Sequence, residues 1–63
     1  MEINKIIKQA RINAGLSQQR LSELSGIRKA SISEFETGKR QLYVNNLSKL
    51  MDVLNLIISK HEN

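Results

Sequence analysis

The 63 residues carry 10 Lys and Arg against 6 Asp and Glu, a formal net charge of +4, with no cysteine and a single histidine. A chain of this size holds one small domain and has neither a disulfide nor an unaided zinc site to staple it, which makes dimerisation an attractive source of further burial. The excess of cations suits a polyanionic partner, whereas the longest aliphatic run, Leu56–Ile58, falls far short of the ~20 residues that span a bilayer, so no membrane partner is expected and a cytoplasmic setting is.

Over Glu2–Ala14 the apolar residues Ile3, Ile6, Ile7, Ala10 and Ala14 share one side of a helical projection. That spacing predicts an amphipathic helix closed by Gly15, with Lys5 and Lys8 on its outer side. Ile12 falls opposite and is expected at the surface. From Leu16 to Arg40 the chain reads as two short helices joined by a tight turn. Ser17 is placed to cap the first by accepting from unpaired backbone N–H groups, and Leu16 to pack on Leu21 as a hydrophobic staple. This helix starts at Gln18 and is expected to bury Leu21 and Leu24. Gly26, just past Ser25, supplies the left-handed residue that ends it cheaply, and Ile27 plugs the corner.

A second helix over about Lys29–Thr37 turns Ile32 and Phe35 inward and stops at Gly38. At about 100° per residue, Ala30, Ser33, Glu34 and Thr37 then lie roughly opposite the core. With only Gly26–Arg28 between them, the two helices must cross steeply. After the short loop KRQLY, the spacing of Val44, Leu47, Leu50, Met51 and Leu54 predicts a further helix with all five on its core stripe. Asn55 is able to end it. The residues that follow, Leu56, Ile57, Ile58 and Ser59, are short in span with β-branched isoleucines at their centre, and read as a strand with no partner inside the chain. There is no internal repeat, linker or low-complexity tract.

At this point the sequence resembles the lambda-repressor-like (Cro and repressor type, XRE) helix-turn-helix proteins. The carrying residues are Gly15-Leu16-Ser17-Gln18, Leu21, the Ser25-Gly26-Ile27 corner, Ile32-Ser33 and the Glu36-Thr37-Gly38-Lys39 exit, and the likeness runs from Ile7 to Leu56. It implies an all-α domain of four helices, read as spanning 1–63, with the helix-turn-helix over about 17–37; the unpartnered segment over about 56–59 is expected to serve as a dimerisation strand that pairs with its own symmetry mate. The resemblance also implies that Arg11 pairs with Glu36. The sequence departs from the family pattern where Leu42 replaces a frequent proline, Tyr43 a small capping hydroxyl, and Arg28 a capping Ser or Thr.

The resemblance implies a partner, double-stranded DNA, bound by a homodimer in a bacterial cytoplasm, at the nucleoid. The second helix would bring Arg28, Lys29, Ala30, Ser33 and Glu34 to base edges: Lys29 donating to guanine, Ala30 touching a thymine methyl, Ser33 bonding either way, Glu34 accepting from cytosine N4 or staying a solvated charge. Ser17 and Gln18 sit at a helix start whose free N–H groups attract anions, and Gln19, Lys39, Arg40 and Tyr43 are the other candidates for phosphate. The ending SKLMDVLNLIIS resembles the HipB-type antitoxins, which implies an autoregulating repressor of a toxin-antitoxin module with a kinase-like toxin as cognate partner. Phage or plasmid repressors and restriction-modification controllers share the same core. A reading from another class is a protein-interaction module that neutralises a partner protein without binding DNA. No enzyme is expected, because the serines have no histidine close in sequence and no glycine-rich phosphate loop is present; no catalytic residue, cofactor or metal is assigned.

Overall fold

The computed structural model describes residues 2–61, with side chains described for 2–55. Its elements are α1 (Ile3–Asn13), α2 (Gln18–Ser25), α3 (Lys29–Glu36) and α4 (Val44–His61). Two helix ends that frame the helix-turn-helix have a clear local cause. Ser17 Oγ accepts from the N–H of Arg20 at 3.0 Å, which caps α2 as its position predicts. At the end of α3, Gly38 takes φ 82°. Its N–H bonds the Phe35 carbonyl at 3.1 Å and the N–H of Lys39 bonds the Glu34 carbonyl at 2.9 Å, so carbonyls that the helix leaves free are used by the exit loop.

The helices close a ring of contacts in which α1 meets α3, α3 meets α2, α2 meets α4 and α4 meets α1. Inside it lie Ile7, Leu21, Ile27, Ile32, Phe35, Leu50 and Leu54, with Ala10, Ala14, Leu16, Leu42, Leu47 and Val53 packed around them. Leu21, Ile32 and Leu50 are wholly buried, one from each of α2, α3 and α4. Burying a leucine or isoleucine side chain is worth about 1.5–3 kcal/mol, so these three residues hold the helix-turn-helix to α4.

Five apolar residues expected on the core side lie outside it: Ile3, Ile6, Leu24, Val44 and Met51 are all exposed, and of the α1 isoleucines Ile7 alone is buried. Val44 opens α4 and Met51 stands at the edge of the stripe made by Leu47, Leu50 and Leu54, so neither reaches the centre. Leu24 is displaced for a different reason. The inner side of α2 is shared by Leu21 with the partly buried Gln18, Ser22 and Ser25, because the buried corner needs polar partners. Ser22 Oγ donates to the Ile27 carbonyl, and Ser25 Oγ accepts from the Ile27 N–H. Ile12 is exposed, as expected from its place on α1.

The stretch Leu56–Ser59 is not a strand. It continues α4, which runs to His61 without ending at Asn55. A strand here would leave its ladder N–H and C=O groups without partners in this chain, whereas a helix pairs them locally. The sequence contains no proline, and the spacing of Leu47, Leu50, Leu54 and Ile57 or Ile58 keeps the helical period. What the side chains of Leu56, Ile57, Ile58 and Ser59 touch lies outside the described residues.

Candidate nucleic-acid interface

The face that presents α3 is built from the corner outward. Gly26 takes φ 77° and turns the chain, and Ile27 behind it is buried, which fixes where α3 starts. On α3 itself Ile32, Phe35 and Glu36 face inward, while Lys29, Ala30 and Glu34 are exposed and Ser33 is half-buried. The projection therefore brings the expected base-reading positions together on one open side of the helix. Arg28 occupies the N-cap position and is exposed there, with no side-chain cap, because a guanidinium has only donors and cannot accept from the helix N–H groups.

Among the described residues Arg28, Lys29 and Lys39 have no ion-pair partner, and they bracket α3 at both ends. Lys39 is held by its backbone bond to the Glu34 carbonyl, so the position of the loop cations follows from the end of the helix. Arg40 differs: its Nε lies 3.1 Å from Oε1 of Glu34, an exposed ion pair not anticipated from the sequence. Tyr43 is 86% exposed and keeps its hydroxyl in solvent beside α4.

The residues at the start of α2 divide. Ser17 spends its acceptor on the helix cap and still has a hydroxyl proton to donate. Gln19 donates to Oε2 of Glu23 at 3.2 Å, and Arg20 donates to Oε1 of the same carboxylate at 3.2 Å. These bonds, that from Gln19 first, hold the Glu23 carboxyl below its ordinary pKa. Gln18 turns inward instead, donating from Nε2 to Oε1 of Glu36 at 3.0 Å.

Glu36 is the one buried charged residue among those described, and it is fully partnered. Arg11 Nε donates to Oε2 at 2.7 Å and Nη2 to Oε1 at 3.1 Å, while Nη1 donates to the Leu16 carbonyl at 2.7 Å. One guanidinium thus ties α1 to the end of α3 and to the residue before the α2 cap. The expected Arg11–Glu36 pair is present, and Gln18 is its third member. Sequence reasoning assigned Gln18 to phosphate alone, although its place one turn before the buried Leu21 already points it toward the core.

No helix among the described residues is long and apolar enough to cross a membrane, and no group of three or more His, Cys, Asp or Glu that could hold a metal ion comes together there. Searches of curated proteins and of solved structures gave no significant match. A family model described as helix-turn-helix matches residues 7–57, the stretch that contains the capped α2, the corner and α3. With that match laid over this geometry, the chain belongs to the lambda-repressor-like (XRE-type) helix-turn-helix family, DNA-binding transcription regulators.

Proposed function

We propose that the chain, acting as a single helix-turn-helix domain, is a sequence-specific transcriptional repressor of the bacterial cytoplasm that binds a palindromic operator as a homodimer. The observation that supports it best is the open side of α3, where Lys29, Ala30, Ser33 and Glu34 share one face between the cations Arg28 and Lys39. Helix-turn-helix proteins read base edges with the N-terminal residues of this helix, and flanking cations engage phosphate. In this reading Arg28, Lys29, Ala30, Ser33 and Glu34 meet bases, while Ser17, Gln19, Lys39, Arg40 and Tyr43 meet the backbone. Gln18 acts through Glu36 rather than on phosphate directly.

One such module reads few base pairs, and two related by a two-fold axis, with recognition helices about 34 Å apart, supply the missing specificity. Ile12, exposed on the side of α1 away from the core, is the first position to test for the contact between subunits. A narrower role as the autoregulating antitoxin of a kinase-like toxin rests on the sequence likeness of SKLMDVLNLIIS to HipB-type antitoxins alone, since 56–59 is helical here rather than a strand. Selection of bound fragments from a random duplex pool tests the reading. A palindromic site lying upstream of the chain's own gene is expected; failure to enrich any duplex, with a partner protein still bound, would replace it by the interaction-module reading.

A further inference from the structure

The exposed face of α3 contains one carboxylate, Glu34, since Glu36 is buried. A carboxylate facing DNA is repelled by every phosphate near it, so its presence on a surface otherwise flanked by cations calls for a physical account. The structure supplies one in Arg40. Its guanidinium approaches Oε1 of Glu34 through Nε at 3.1 Å, with the two side chains 52% and 47% exposed. The N–H of Arg40 also bonds the Glu34 carbonyl at 3.2 Å, so backbone and side chain of residue 40 are both referred to residue 34.

Among the described residues neither Nη group of Arg40 and not Oε2 of Glu34 has a hydrogen-bond partner. The pair therefore keeps donors on one end and an acceptor on the other. We propose that Glu34 and Arg40 act on DNA as one unit, in which Arg40 engages a phosphate through its Nη groups while balancing Glu34, and the balanced carboxylate selects cytosine by accepting from its N4 amino group. Of the four bases, cytosine offers a donor and no acceptor at its major-groove edge, while guanine and thymine oppose a carboxylate with acceptors. Arg40 lowers the cost of bringing Glu34 near the duplex, and Glu34 converts that approach into a choice of base. This inference rests on the DNA-binding reading and deepens it by naming a specificity-determining residue and the residue that positions it.

The test is pool selection and duplex titration with the full chain and with Glu34→Gln, Arg40→Gln and the double variant, after thermal melting shows all four folded. Wild type should enrich a cytosine at one position of each half-site. Glu34→Gln should lose about tenfold of that discrimination at a base pair distinct from the one affected by Lys29→Ala, and should gain affinity for unselected duplex. Arg40→Gln should weaken binding at least threefold more in the wild-type background than beside Glu34→Gln, because only in the former does it leave a carboxylate unbalanced. Unchanged base preference in Glu34→Gln, or equal effects of Arg40→Gln in both backgrounds, overturns the unit while leaving DNA binding in place. A wild-type chain that binds no duplex overturns the DNA-binding reading, and this inference with it.

Discussion

Arg11 and Glu36, 25 residues apart, meet edge to edge with Nε 2.7 Å from Oε2 and Nη2 3.1 Å from Oε1, and the Glu36 side chain is 1% exposed. This is a desolvated bidentate pair rather than two surface charges. Removing one member leaves the other charged and buried, which typically costs about 3–5 kcal/mol, whereas an exposed pair is worth about 0–1 kcal/mol. For a domain this small that is most of its stability. Urea denaturation of Glu36→Ala and Arg11→Ala should show losses in the larger range. A double-mutant cycle with Glu36→Gln and Arg11→Met should give a coupling well above the ~0.3 kcal/mol seen for independent sites.

The corner of the helix-turn-helix offers a cleaner backbone test. A Cβ added at Gly26 would meet nothing within 4 Å, so alanine there loses no packing and suffers only the left-handed φ of 77°. Gly26→Ala should destabilise by about 1–2 kcal/mol and Gly26→Asn by less, because asparagine visits this region more readily. Equal midpoints for alanine and asparagine in urea would mean that the corner relaxes to another conformation.

Lys29 and Lys39 should separate base reading from phosphate contact. Both are cations without an ion-pair partner among the described residues, but Lys29 opens α3 and Lys39 lies beyond its end. Lys29→Ala should cost about 1–3 kcal/mol on the selected site and relax preference at one base pair. Lys39→Ala should weaken selected and unselected duplexes alike and make the slope of log affinity against log salt shallower by about 0.9. Identical behaviour of the two variants would argue that α3 does not read bases.

Glu23 gives a pH prediction with a definite sign. Its carboxyl is held below the ordinary value by the hydrogen bonds from Gln19 and Arg20. A folded-state pKa below the unfolded one contributes stability that is present above the unfolded value and is lost as pH falls through the folded value. An NMR titration should find the Glu23 midpoint below the ~4.3 of a free glutamate, moving up toward it in Gln19→Ala and Arg20→Ala. A midpoint that does not move in either variant would show that the exposed bonds are not populated in solution.

Much of the candidate site could be read directly from the residues because its parts are local. The cap at Ser17, the corner at Gly26 and the exit at Gly38 each involve hydrogen bonds or φ values settled within a few positions, and they place α2 and α3 where the spacing of Leu21, Ile32 and Phe35 puts them. The open side of α3 follows from that same period. The Arg11–Glu36 pair entered through family resemblance, not through any local rule, since nothing in the intervening chain brings the two together.

What sequence alone determined, then, is the helical order of 3–38, the corner, and which side of α3 is left open, all consequences of short-range hydrogen bonding and a period of 3.6 residues. Only the tertiary structure decided which stripe residues are buried. Ile3, Ile6, Val44 and Met51 remain exposed at the starts or edges of their helices and Leu24 gives way to the polar partners of the corner, while Gln18, Ser22 and Glu36 turn inward because buried backbone and charge must find partners. It also decided that Arg40 turns to Glu34 and that 56–59 extends α4. A strand needs an edge to pair with and a helix does not, so a segment whose composition fits either adopts the one whose hydrogen bonds its own neighbours can complete.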